Sequence, residues 1–253
     1  YFKVRQAQEE GATRTAIQKI QVQLVDTQMR SVGDSISDEA AGRSALKLST
    51  FAMSLGGDNI RAKVIWTKMR MKMEFPQNFF EVLTWPEYMW ILNAGLPRQS
   101  PYASALQGIV GEDPLAYPVP DPEERLYKQS AILLYLATVQ SRRGNVGFDP
   151  ATHVGAYNVG DITLKNASGA TILDATGNPR LFKIYKDTWG EPIGFIRWPF
   201  GATSSELNTA PFLQFNTQGQ PIDPQDPEKT LQNQIWYASP ERLMFEKVVY
   251  AYS

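Results

Sequence analysis

Four short places in this sequence carry side chains whose types and spacing fit chemistry. His153, the single histidine, follows Asp149-Pro150 in a Gly-rich connection. One imidazole excludes a histidine-pair metal centre and leaves only the part of a lone general base. Ser44-Ala-Leu-Lys47 has the spacing in which a lysine activates a serine one helical turn earlier, but its companions Ser-Asp-Asn and Lys-Thr-Gly do not occur. Asp223-Pro-Gln-Asp226-Pro-Glu228 gathers carboxylates in a loop. Hard oxygens of that kind suit Ca²⁺, so Asp223 and Asp226 are the calcium candidates, with a solvated acidic loop as the alternative.

The fourth place is KDTWGEPIGFIRWP, Lys186 to Pro199, with two tryptophans around Gly190. Its aromatic faces suit either stacking against a sugar ring or closing a structural hairpin. The hairpin reading accounts for more of the residues. Gly190 admits a positive φ, Asp187 accepts hydrogen bonds from nearby amides, and Pro192 opens the returning strand where a missing donor does least harm. Trp189 is then expected to fold over the sheet. Asn166-Ala-Ser168 has the glycosylation triplet but reads as another hairpin turn.

Other chemistry is excluded by what the chain lacks. There is no cysteine, so disulfide frameworks, thiolate zinc sites and cysteine nucleophiles fall away. No GxGxxG, P-loop, HExxH or GxSxG sequence is present. A net charge of −1 over 253 residues gives no electrostatic reason to expect nucleic acid. No apolar run reaches the roughly 18 residues of a membrane helix, while 43% apolar residues supply a globular core.

The elements that position these residues change character along the chain. From Tyr1 to Val32 apolar residues recur at helical spacing, with Ile17, Ile20 and Leu24 on one line and Val22, Val25, Met29 and Val32 on another. The spacing predicts one long helix, weakly amphipathic in its first half and stopped at Gly33-Asp34-Ser35. An uncapped start and a poorly packed first half imply that an upstream segment continues it. Residues 34–143 keep the helical period, with helices expected near Asp38 to Leu55, Asn59 to Glu74, Asn78 to Asn93 and Glu123 to Arg143. Prolines punctuate them, most densely in EDPLAYPVPDP, Glu112 to Pro122. Met69, Met71 and Met73 alternate with Arg70 and Lys72, so on a helix they spread around it and leave one face to contact a partner. Residues 144–253 turn to short apolar runs and turn signals, the pattern of an antiparallel sheet ending in a strand from Met244 to Tyr252. The expected class is α+β, in three consecutive parts: 1–33, 34–143 and 144–253.

A long N-terminal helix containing EEGATRTAIQKIQVQL, followed much later by Asp187-Thr-Trp189-Gly190-Glu-Pro192 between two strands, resembles the type IV pilin-like proteins, especially the pseudopilins of type II secretion. MKMEFPQNFFEV and YKDTWGEPIGFIRWP also look like a large-ectodomain branch of bacterial prepilin-like proteins. The resemblance implies a helix packed on a C-terminal antiparallel sheet, here with a large helical insertion. It also implies an apolar membrane half-helix upstream of Tyr1, a bacterial envelope location and an inner-membrane anchor with a periplasmic or extracellular head. Calcium in a late loop is a property of several major pseudopilins, which places Asp223 and Asp226 in that context.

The function expected from this resemblance is a structural subunit of a pilus-like or pseudopilus filament, without catalysis. Its partners would be copies of itself, other pilin-like subunits and the secretion or pilus assembly machinery. Arg5, Glu9, Glu10 and Arg14 are the candidates for ion pairs between subunits. Ile17, Ile20, Leu24 and Met29 would divide between holding the sheet and packing neighbouring helices. Two rivals stand beside this reading: a ligand-binding or tip adhesin module using Trp189 and Trp198, and a secreted enzyme with an unrecognised site.

Overall fold

A computed structural model describes residues 2–30, 33–34, 58–83, 102–107, 109, 122–139, 149–166, 169–195, 214–215 and 221–222. The chain forms two compact units, each drawn from three stretches. Tyr1–Ser31, Glu74–Pro86 and Gln99–Phe195 make the first, and Val32–Met73, Glu87–Arg98 and Ile196–Ser253 make the second.

The first unit opens on a rod. Helix α1, Phe2–Gln21, runs without a break into a π-helical segment, Val22–Met29. Among the described side chains of the rod, those buried are Ala16, Ile20, Leu24 and Gln28, each four residues from the next. An α-helix turns about 100° per residue, so a four-residue repeat drifts about 40° at each step. The wider i→i+5 turns of a π-helix drift the other way and bring Leu24 and Gln28 back under Ile20. The Thr27 hydroxyl, donating to the Val22 carbonyl five residues back at 3.2 Å, follows that wider winding. Ile17, which the spacing puts on one line with Ile20 and Leu24, is 44% exposed, and Val22 is 55% exposed. Gly33 and Asp34, where a stop was expected, are helical.

Two further helices of this unit are α3, Phe79–Leu83, and α4, Pro122–Val139. Pro122 begins α4 at a position whose N–H would have had no helical partner. Four successive residues of α4, Ala131, Ile132, Leu133 and Leu134, are buried. A helix covered all round is a central one, and α4 packs against both the sheet and the π segment.

The sheet is a pair of antiparallel strands, β1 Val159–Ile162 and β2 Phe182–Tyr185, in the register Val159↔Tyr185 to Ile162↔Phe182. Lys183 and Asp161 face each other in that register and form a 2.9 Å ion pair on the exposed side. Isolated bridges Lys165↔Thr171, Leu173↔Pro179 and Lys186↔Pro192 extend the ladder through the connections. On the buried side Phe182 meets Phe79 of α3, with ring centroids 6.0 Å apart. Tyr185 meets Tyr135 of α4 at 5.3 Å and donates its hydroxyl proton to Thr138 Oγ1 at 2.7 Å. The donor assignment follows because the Thr138 hydroxyl already donates to the Leu134 and Tyr135 carbonyls. Gln28 closes the same junction from the rod, its Nε2 donating to the Thr138 carbonyl at 3.2 Å. Rod, central helix and sheet thus meet at one buried polar knot, which fixes their register more sharply than apolar contact alone.

In the second unit, α2, Asn59–Glu74, has its last residue assigned to the first unit and all others to the second. Asp58 caps α2, accepting from the Arg61 amide at 2.9 Å and pairing with its guanidinium at 3.1 Å. Met71 and Met73 are buried, while the side chains of Met69, Arg70 and Lys72 lie outside those described. A second antiparallel pair, β3 Gln214–Phe215 with β4 Pro221–Ile222, also belongs here. The helix expected at Asp38 to Leu55, the strand at Met244 to Tyr252 and the Glu112 to Pro120 connection lie outside the described residues.

Candidate functional site

The stretch singled out from the sequence forms a tight hairpin between β2 and its returning segment. Asp187 and Glu191 face each other across it, with the Asp187 amide donating to the Glu191 carbonyl at 2.9 Å and the Gly190 amide to the Asp187 carbonyl at 3.2 Å. Asp187 Oδ1 takes the amides of Trp189 and Glu191 at 2.9 and 2.8 Å. Gly190 holds φ at 95°, a conformation strained for any side chain.

The same device closes the two preceding turns. Asn166 Oδ1 accepts from Ala170 N at 3.0 Å, and Asp174 Oδ1 from Thr176 N and Asn178 N at 2.8 and 3.0 Å. Gly169 and Gly177 hold φ of 81° and 84° at the place Gly190 takes. All three turns follow one scheme: an Asx residue, two residues, then glycine, as in Asn166-x-x-Gly169, Asp174-x-x-Gly177 and Asp187-x-x-Gly190. Asp187 and Gly190 are therefore turn chemistry that the chain uses three times. The individual residues of the last hairpin are Thr188, Trp189 and Pro192.

Thr188 ties the hairpin to the rod. Its hydroxyl donates to the Glu9 carbonyl at 3.1 Å, so the 3.0 Å contact between the Thr13 and Thr188 hydroxyls must be a donation from Thr13. The Thr188 amide completes the ring by donating to Thr13 Oγ1 at 3.3 Å. Pro192 secures the other side of the hairpin. It pairs with Lys186, and its carbonyl accepts the Tyr127 hydroxyl of α4. Three residues on, Ser130 both donates to the Phe195 carbonyl at 2.7 Å and accepts its amide at 3.0 Å. Gly194 leaves room for this approach, since a Cβ there would stand 3.2 Å from the Tyr127 ring and 3.3 Å from Ser130 Oγ. Burial raises the Tyr127 phenol above its ordinary pKa, partly opposed by the Gly194 backbone and reinforced by Asp187 and Glu191.

Trp189 departs from expectation. It does not fold over the sheet as a lid but stands 53% exposed at the hairpin tip. The reason lies in the turn: both neighbours of the indole are held by the rod contact and the Gly190 conformation, which point position 189 outward.

The other expected site residues separate along the rod. Ile20 and Leu24 are buried, Met29 is half-buried, and Glu10 and Arg14 are exposed. Glu9 is half-buried and meets the hairpin through its backbone oxygen rather than its carboxylate. Arg5 lies in α1, its side chain outside those described. The residues missed from sequence are Thr13 and Gln28. Extending the Ile20 and Leu24 line four residues at a time in both directions reaches Ala16 and Gln28, and a three-residue step from Ala16 reaches Thr13.

His153 makes a local bond, its Nδ1 lying 2.8 Å from the Asp149 carbonyl at the start of a short π turn, Ala151–Gly155. The Thr152 hydroxyl, together with the Ala151 and Thr152 amides, holds the Asp149 carboxyl below the usual carboxylate range. Ser44, Lys47, Asp223, Asp226 and Trp198 lie outside the described residues. Among the described residues no group of three or more His, Asp or Glu side chains is placed to hold a metal ion. No described helix is long and apolar enough to cross a membrane.

No protein-family model, no curated protein and no solved structure matches this chain.

Proposed function

We propose that this chain is a structural subunit of a pilus-like or pseudopilus filament of the bacterial envelope, acting by helix-mediated assembly and not by catalysis. The observation that supports the reading is the outward face of the rod. Ala7, Gly11, Thr15, Gln18 and Val22 are all exposed, and at about 100° per residue they form one stripe opposite Glu9, Thr13, Ala16 and Ile20. Small side chains let helix axes approach closely, and a Cβ on Gly11 would meet nothing within 4 Å in this chain. The inner stripe is held by the hairpin and the short π turn Ala151–Gly155, so the rod is gripped on one side and bare on the other. A subunit that packs rod against rod with copies of itself needs that division. Exposed charges beside the stripe, Glu10 and Arg14, would set register in such packing, each pair worth about 0 to 1 kcal/mol. On this reading a membrane half-helix upstream of Tyr1 anchors the rod, and any calcium would sit at Asp223 and Asp226.

Electron microscopy of the full-length protein in its native envelope tests the proposal. Filaments containing the wild-type chain, lost on Gly11→Leu while the purified domain keeps its fold, are the expected result. A native chain found only as a dispersed monomer overturns it.

Trp189 favours a second reading, a ligand-binding or adhesin module, because an exposed indole on a rigid tip is a stacking platform. Tryptophan fluorescence titrated with mono- and oligosaccharides separates the two. A saturable shift lost in Trp189→Ala supports the module.

A further inference from the structure

The rod carries more residues between its two anchor points than a plain α-helix needs. Its lower anchor is Gln28, bound to the Thr138 carbonyl, and its upper anchor is Thr13, bound to Thr188. Counting back from Gln28 at about 100° per residue, an unbroken α-helix would turn Gln21, Ile17, Arg14 and Glu10 inward. The residues found inward are instead Ile20, Ala16, Thr13 and Glu9, each one position earlier in the chain. The π segment Val22–Met29 absorbs the difference, since a π turn holds one residue that an α turn does not. In apolar burial the two rotational settings partly offset each other. The plain α setting exchanges Ala16 for Ile17, which is 44% exposed, and Ile20 for Gln21.

We propose that Val22–Met29 is a one-residue register joint: it sets which face of α1 meets the hairpin, the Thr13–Thr188 contact latches that setting, and unlatching lets α1 turn by about 100° into the plain α setting. In the latched setting the Ala7, Gly11, Thr15, Gln18 and Val22 stripe points outward. In the other setting that stripe rotates away and Arg14 comes to Thr188. The joint is therefore a conformational device controlling which helix face the molecule offers. It stands on the geometry of the rod and does not require the assembly reading.

The absence of cysteine makes engineered pairs unambiguous reporters in the full chain. Under mild oxidation, T13C/T188C is expected to cross-link readily. R14C/T188C should cross-link more slowly but measurably, and T15C/T188C, whose first position faces away, sets the background. Deleting Gln23 removes the spare residue. The chain should still fold by circular dichroism, keep the T13C/T188C link and lose the R14C/T188C link to background. Deleting Gln18 instead, above the joint, moves Thr13 into the place of Arg14, so the T13C/T188C link should fall to the slow yield of R14C/T188C in the intact chain. Three results overturn the proposal: an R14C/T188C yield no higher than background in the intact chain, loss of the T13C/T188C link on deletion of Gln23, or failure of the Gln23-deleted chain to fold.

Discussion

Thr13 and Thr188, separated by 175 positions in the chain, share a hydroxyl contact of 3.0 Å, and through it the hairpin grips the rod. The contact is half-buried and includes the Glu9 carbonyl, so removing either hydroxyl leaves a partner short of a bond. Thr13→Val and Thr188→Val should each lower stability by about 1 kcal/mol, the usual net worth of one such hydrogen bond. The double variant should lose less than the sum, because the two residues share one network. Urea unfolding of the four proteins in the cycle measures the coupling, and strict additivity would show that the contact carries no energy.

Gly190 and Gly11 make opposite demands on an alanine. At Gly190 a φ of 95° penalises any Cβ, so Gly190→Ala should destabilise by about 1 to 2 kcal/mol. Gly11 lies inside α1 with open space around it, so Gly11→Ala should stabilise by about 0.5 to 1 kcal/mol through helix propensity alone. Thermal melts of the two variants should move in opposite directions.

Alkaline pH should loosen the first unit. Burial raises the phenols of Tyr185, Tyr135 and Tyr127 above the ordinary tyrosine value, most strongly at Tyr185. A group whose pKa rises on folding holds its proton more tightly in the folded chain. Its stabilisation is then complete below the unfolded pKa of about 10 and is lost as pH rises from there through the folded value. Absorbance at the tyrosinate band should show a late-titrating fraction, with unfolding at its upper end. Tyr185→Phe should lower neutral stability by about 1 kcal/mol, through the lost bond to Thr138, and flatten the alkaline decline.

Acid should act on the turns. Asp174 accepts from the Thr176 hydroxyl and from the Thr176, Asn178 and Gly177 amides, which together lower its pKa. A carboxylate lowered on folding contributes stability above its unfolded pKa of about 4, and that contribution disappears as pH falls through the folded value. Carboxyl carbon chemical shifts should place the Asp174 midpoint below that of a free aspartate, and Asp174→Ala should remove the corresponding acid dependence. An Asp174 midpoint at the ordinary value would contradict the hydrogen-bonding scheme.

Local chemistry was legible in the sequence wherever neighbours alone decide it. Asp187, Gly190 and Pro192 announce a hairpin because a carboxylate, a Cβ-free residue and a donor-free residue each suit a different corner of one turn. The helical period from Asn59 to Glu74 likewise needs no partner to be read, and α2 occupies those residues. The site was harder to read. Periodicity grouped Ile17 with Ile20 and Leu24 but did not say which side of that line faces inward, and with the π segment in place Ala16 is buried and Ile17 exposed. The line of Trp189 could not be fixed either, since its direction depends on what holds residues 188 and 190.

By itself, then, the sequence determined that Asn59–Glu74 winds, that turns fall at Asn166–Gly169 and Asp187–Gly190, and that cysteine and paired-histidine chemistry are absent. Those properties follow from backbone sterics and residue type within a few positions. Only the tertiary structure decided that Thr13 meets Thr188, that Gln28, Thr138 and Tyr185 share one buried knot, and that one side of the rod stays bare. The physical reason is that helix rotation is a long-range quantity: one extra residue in a turn leaves every local propensity nearly unchanged yet swings all that precedes it by about 100°.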